Sequence, residues 1–571
     1  MLIKDRKTKI KTILIGSIFI ITLSGITTSF TFPSATNTPV NYEWIVKNAS
    51  GFYLMMITIL AIAFTNFTLL LYRDINHNNV LMNLYLITLM MYQSMLAFIT
   101  FTKSPYRDVF LHGGTVKYLL DKGTLPMGTA EATWPFSYYL QALFVAISSF
   151  DIVFSNSLLY ISVSILLVII TILLMKLLLA SFNTYEFKIL LASFILIYYV
   201  QFNHYNSFIH YCRAQLGLSM LMTIFYVLIK MLQKKKYIHS NDIALLLLLL
   251  SSLFYTHPFY SIMYLGSIAF VAFTLYIFRI RPTAMQSRHG NFFQRFIIEI
   301  FALSLTLFLM VNFLQSNFSI DVVYAHLVKG ITGDILEYAS GIIQVREKLP
   351  LLGEIVRTVW KAMLISMLIL SMSCLYISLG ILKQNPGIAE KLFLGHALSS
   401  IALLLLFLYV PGFTGRVVSF LAIPLAYYSI QAIVLLMKRY KRYATKLATL
   451  LHILSLISFI TSNILVFFDP PISGRFAVDD IMKPLNQVFN NTADVKIVFL
   501  QNSPLYILAK YFATYESNVF TFEAFKSTGP SLFVCVPSID IPVCENVLNS
   551  NSLIINAGTV YGIYLLDQFL S

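Results

Sequence analysis

Residues 234–281 read KKKYIHSNDIALLLLLLSSLFYTHPFYSIMYLGSIAFVAFTLYIFRIR. Two apolar runs, 242–256 and 260–278, are joined only by Thr256-His257-Pro258 and flanked by Lys234-Lys235-Lys236 and by Arg279 and Arg281. Each run is close to the ~20 residues that span a hydrocarbon core. Basic residues at both outer ends and none in the link describe a helical hairpin crossing a bilayer twice, with its cationic ends on the cytoplasmic side. The fold class follows from this hairpin: a polytopic, mainly helical membrane protein.

The rest of the 571 residues repeats the pattern. The chain is 58% hydrophobic and 11% charged, with mean hydropathy +0.77. A soluble protein could not bury that much apolar surface. Further spans read near 12–32, 52–72, 80–101, 155–181, 189–205, 214–232, 296–313, 358–381, 392–410, 417–437 and 447–467, about thirteen in all by the twenty-residue rule. The first follows a basic N-terminus and reads as an anchor rather than a signal peptide, because no small-x-small cleavage site ends it.

With the N-terminus inside, Arg73, Lys188, Lys234 to Lys236, Arg279, Arg281, Arg288, Arg295, Lys383, Lys391 and the cluster Lys438-Arg439-Tyr440-Lys441-Arg442 all fall in inside loops. The net charge of +15 is thus a topology signal, and nucleic-acid binding is excluded by its distribution. The opposite face receives the loop 102–154, the loop 314–356, the links at His257 and Pro411 to Arg416, and everything from Asp469 onward. The sequons at Asn48, Asn317 and Asn490 fall on that same face, whereas one at Asn66 lies within a span.

Two segments of loop 102–154 are too short or too mixed to span. Val109 to Leu120 reads as a surface helix stopped by Lys122-Gly123, and Phe136 to Phe150 as an aromatic helix lying in the interface. The last hundred residues change character. Asp494 to Leu500, Leu532 to Val536 and Leu553 to Ile555 read as strands and Pro504 to Tyr515 as a helix, making a small exterior α/β domain. The organisation is therefore 1–79 as a two-helix extension, 80–468 as the transmembrane core and 469–571 as the exterior domain. Of the four cysteines, Cys212 and Cys374 sit in or beside spans. Cys535 and Cys544 are near enough in sequence for a small-loop disulfide if their region is outside the cytosol.

Chemistry concentrates around Asp108. A carboxylate at the hydrocarbon edge is costly unless it is paired or used. In a helix His112 shares its face one turn on, and the pair could do general-base work on an acceptor hydroxyl. Asp108 could equally cap the helix, and His112 could be an interfacial histidine bonded to backbone. The i, i+4 spacing also admits a divalent metal, with Glu131 the nearest third ligand, although that reading is disfavoured. Arg416, in a tight turn opening a helix, suits a lipid phosphate. Its alternative is headgroup snorkelling. His257, and Arg213 beside His204 and His210, face the same side and read as structural more than functional. The mixed-charge loop 314–356 reads as a mobile cover or a solvated loop.

Arg107-Asp108 with its surface helix, Gly123, Pro126 and Trp134-Pro135 resembles the polytopic glycosyltransferases of the GT-C superfold, the class of protein O-mannosyltransferases, aminoarabinose transferases and oligosaccharyltransferases. Gly415-Arg416 opening a late span with Ile423-Pro424 adds to the resemblance, as does the topology. The resemblance implies that Asp108 is the catalytic acid or base, with His112 as helper, that Arg416 holds a polyprenyl-phosphate donor, and that Arg107, Glu131, Trp134 and His257 are substrate contacts. It implies no firm cofactor, and as partners a polyprenyl-phosphate-linked sugar, membrane lipid and a glycan, lipid or protein acceptor. It places the active site on the extracellular or lumenal face of the plasma membrane or its equivalent. The sequence departs from the class in its single acid after Arg107 and in lacking a Trp-Trp-Asp element. A transporter or flippase of lipid-linked sugar, or a non-catalytic relative, would share the spans, but a transporter would carry its charges mid-span. Lys176, Glu299 and Lys361 all lie near span ends.

Overall fold

The computed structural model describes residues 107–125, 134–150, 152–178, 213–233, 240–277, 287–315, 388–406, 496–499, 519–521, 531–535, 553–556 and 562–566, with isolated positions at 16, between 355 and 376, at 424, 427, 428 and at 450. The expected spans 12–32, 52–72, 80–101, 189–205, 358–381, 417–437 and 447–467 lie wholly or almost wholly outside these, as does the expected helix Pro504 to Tyr515. In chain order the helices are α1 (Arg107–Lys122), α2 (Phe136–Ser148), α3 (Ile152–Leu178), α4 (Arg213–Gln233), α5 (Ser240–Phe254), α6 (Pro258–Ile277), α7 (Ser287–Gln315) and α8 (Ile388–Leu406).

The long helices coincide with apolar runs, and their ends obey local chemistry. Asp242 lies in the first turn of α5, where a carboxylate complements the free amides. Pro258 opens α6, at the position where its missing N–H costs nothing. By length and composition α4, over Arg213–Leu232, is long enough to cross a membrane. The apolar window places Arg288 and Arg295 in an inside loop, but α7 begins at Ser287, so both lie on its polar first turns. Arg295 Nε donates to Glu299 Oε1 at 2.7 Å, an i, i+4 pair that supports helix beyond the apolar window. Lys391 likewise lies on α8 rather than in a loop.

Close contacts fix the relative senses of the helices. Gln215 Nε2 donates to Tyr160 O at 3.3 Å, and Leu216 packs with Leu159, Tyr160 and Val163, so α3 and α4 begin at the same end. A Cβ added to Gly217 would fall 2.7 Å from a ring carbon of Tyr260 and 3.1 Å from His257 Cβ. That brings the starts of α4 and α6 together. Phe254, at the end of α5, meets Phe308, late in α7, at 5.8 Å between ring centroids. Helices α6 and α8 run antiparallel. Gly395 approaches Ser267 and Phe270, Gly266 approaches Ser399, and Ser400 Oγ lies 3.9 Å from Met263 Sδ. Helices α3, α4 and α6 therefore begin where α5, α7 and α8 end.

The core between these helices is apolar and well filled, with Leu218, Leu221, Phe225, Leu253, Phe254, Met263, Ile268 and Leu392 fully or almost fully buried. Leu248, Phe273, Leu309 and Met310 point outward, as they would toward lipid.

In the C-terminal region five strands form one mixed sheet in the order β2-β1-β3-β5-β4: β1 (Lys496–Phe499), β2 (Val519–Thr521), β3 (Ser531–Cys535), β4 (Leu553–Asn556) and β5 (Gly562–Leu566). Strand β1 pairs in parallel with β2 (Ile497 opposite Val519) and with β3 (Lys496 opposite Ser531), while β5 pairs antiparallel with both β3 and β4. Both pairings of β1 are parallel, so neither can be a tight hairpin. Strands β1, β3 and β4 fall where the sequence places strands; β2 and β5 were not anticipated.

Candidate functional site

Helix α1 carries both Asp108 and His112, one turn apart on one face. The helix is stopped as its sequence implies. Gly123 takes φ +72°, a left-handed conformation that costs glycine little, and its N–H donates to Leu119 O at 2.8 Å. Val116, Leu119 and Leu125 pack against Tyr138 and Ala142 of α2, with Ile152 alongside. The two short helices of the Asp108 loop thus form one packed unit, each supplying an apolar stripe that the other covers.

The polar end of that unit is built from three elements. His112 Nδ1 lies 2.8 Å from the Tyr138 hydroxyl, and the two rings are 5.7 Å apart at their centroids. Tyr138 is only 2% exposed, so its hydroxyl would be costly to bury without a partner. Trp134 is 9% exposed, and its indole Nε1 finds no hydrogen-bond acceptor among the described residues. Trp134-Pro135 leads directly into α2, with Pro135 already in the helical region of backbone space at φ −80°, ψ −17°. Over both rings lies Arg213, the first residue of α4, its Cζ 5.8 Å from the Trp134 ring centroid and 5.7 Å from that of Tyr138. A cation at a helix N-terminus opposes the helix dipole. Attraction to two ring faces offsets that cost.

The corner between α5 and α6 closes the same end. Phe136 N–H donates to Tyr255 O at 3.2 Å, tying the start of α2 to the corner. His257 Nδ1 accepts from Phe259 N–H at 3.3 Å, and its ring meets that of Tyr260 edge-on at 5.0 Å. His112, Trp134, Tyr138, Arg213 and His257, from four separate stretches of chain, therefore converge at one end of the bundle. Helix α8 runs toward that end.

Of the expected site residues, His112, Trp134 and His257 are brought together here. Arg107 and Asp108 lie on the backbone of α1, and their side chains are outside the description. Glu131, Arg416, His204, His210 and Cys544 lie outside the described residues, while Cys535 ends β3. The sequence reading, which takes Arg213 as structural, contains neither its stacking on two rings nor Tyr138. The signals were present, since a cation opening an apolar helix and a tyrosine among buried positions both require partners. Among the described residues, no three His, Cys, Asp or Glu side chains gather as metal ligands do.

No protein-family model matches the chain, and no curated protein matches it. Among solved structures it is similar to an oligosaccharyltransferase and to ArnT. One is the oligosaccharyltransferase of Archaeoglobus fulgidus, in a complex with zinc and sulfate, at 12% identity and TM-score 0.48 over 76% of this chain. This chain spans 62% of the length of that protein. The other is ArnT from Cupriavidus metallidurans, an aminoarabinose transferase. Its apo form gives 11% identity and TM-score 0.40, over 84% of this chain and 98% of that one. Its form bound to undecaprenyl phosphate gives 11% identity and TM-score 0.43, over 84% and 97%.

Proposed function

We propose that this chain is an integral membrane glycosyltransferase that takes a sugar from a polyprenyl-phosphate carrier on the non-cytoplasmic face. The observation that carries the reading is the fastening of the Asp108 helix, through His112 and Tyr138, onto the bundle end capped by Arg213. A general base must be held rigidly within reach of its proton, and a surface helix packed on a second helix and bonded to it meets that need. Arg213 and the N-terminus of α4 add positive potential at the same end, which suits a phosphate-bearing donor.

In this mechanism the Asp108 carboxylate accepts the proton of an acceptor hydroxyl, with His112 orienting it. The hydroxyl oxygen bonds to the anomeric carbon as the bond from that carbon to the carrier phosphate breaks. The phosphate leaves with the bonding electrons, and its charge is met by Arg416. Trp134, His257, Arg107 and Glu131 line the approach. A lipid carrier accounts for the many spans, because the donor resides in the bilayer. The orientation is N-terminus inside and C-terminal region outside.

The assay supplies a labelled sugar on polyprenyl phosphate to sealed vesicles containing the full chain. Label appearing covalently on an acceptor supports transfer. Label that crosses the bilayer while still on its lipid would mark a transporter instead.

A further inference from the structure

Tyr138 has no role in the transfer steps above, yet it occupies the junction of the site. Its ring lies under the Arg213 guanidinium, and its hydroxyl meets His112 Nδ1 across 26 residues of sequence. A phenol donates hydrogen bonds more readily than it accepts them, and a neutral imidazole has one nitrogen able to accept. With Tyr138 donating to Nδ1, the proton of His112 resides on Nε2. That nitrogen then becomes the donor through which His112 acts on groups of its own helix face, where Asp108 lies one turn earlier.

We propose that Tyr138 is a positioning residue, whose buried hydroxyl holds His112 in its Nε2–H tautomer and fixes the ring against α2. The inference rests on the reading of His112 as the helper of Asp108. Burial makes the arrangement durable, since a tyrosine that is 2% exposed meets little water. Arg213 Cζ lies 5.7 Å from the centroid of the ring, and a phenylalanine ring would keep that contact.

The test uses the full chain in lipid nanodiscs, with histidine labelled by nitrogen-15, at a pH of about 8 where an ordinary imidazole is neutral. The His112 signal is identified by its loss in His112→Gln. Wild type is expected to show a single Nε2–H tautomer at His112, and Tyr138→Phe a mixture. In the transfer assay Tyr138→Phe is expected to lower kcat between about 10- and 100-fold, the scale of a misplaced catalytic group. KM should stay within roughly twofold, since the lost interaction serves the reaction rather than binding. In the His112→Gln background the same change should cost nothing further, because it acts through His112. An unchanged tautomer in Tyr138→Phe overturns the proposal. So does a double variant whose loss is the product of the two single losses. If the tautomer responds but the wild type transfers no sugar, the positioning by Tyr138 stands and the glycosyltransferase reading fails.

Discussion

His112 Nδ1 and the Tyr138 hydroxyl lie 2.8 Å apart, and this contact joins the helix that carries Asp108 to the helix that follows Trp134-Pro135. Apolar packing of Val116, Leu119 and Leu125 would hold the two helices together without fixing their register. A directional bond from a half-buried histidine to a buried tyrosine does fix it. The same tyrosine ring supports Arg213, so a single side chain connects the Asp108 loop to helix α4.

Arg213→Gln should destabilise the end of the bundle by about 1–2 kcal/mol, the range of a desolvated cation–π contact. A lower thermal midpoint in detergent would show it. Trp134→Phe keeps a ring beneath the guanidinium and removes the unpartnered Nε1, so its effect should be smaller. Equal losses from both variants would contradict the stacking account.

Gly395 has a different task. A Cβ there would fall 2.7 Å from the Ser267 carbonyl and 3.2 Å from Phe270, so Gly395→Ala must push α8 away from α6. The expected cost is about 1–3 kcal/mol, as for overpacked cores. Leu398→Ala, on an outward position of the same helix, should cost less in the same melting experiment.

Much of this arrangement can be read in the sequence, and the parts that cannot share a cause. Helix α1 and its end at Gly123 follow from local chemistry, because only glycine takes φ +72° cheaply. The hairpin of α5 and α6 follows from hydropathy and charge. The first turns of α7 were read as loop because an apolar window ignores the i, i+4 pairing of Arg295 with Glu299. Strand β2, Val519–Thr521, has three residues, too few for an alternation to show. Tyr138 and Arg213 are 75 positions apart in sequence (213 − 138), and only packing of α2 against the start of α4 reveals them as a pair.

The opposed senses of the helices make a topological prediction. In a background with the four natural cysteines replaced by serine, a cysteine at Lys122 and one at Lys235 should react with an impermeant maleimide from opposite faces of sealed cells. Lys122 is exposed at the end of α1, and the proposed orientation makes it the one labelled from outside. Labelling of both from the same face would contradict the orientation.

Cys535 ends β3, and the proposed exterior placement of the sheet predicts that it is bonded to Cys544. Both thiols should then resist alkylation in the unfolded, unreduced chain and react after reduction. Free thiols before reduction would argue for a reducing compartment.

The central claim is that Asp108 takes the acceptor proton, and Asp108→Asn tests it most directly. The substitution keeps the size of the side chain and removes its basicity. With labelled sugar on polyprenyl phosphate and the variant inserted in membranes as well as wild type is, the account predicts a fall in transfer of at least ~100-fold, the contribution of a positioned base. Transfer by Asp108→Asn at the wild-type rate would contradict it.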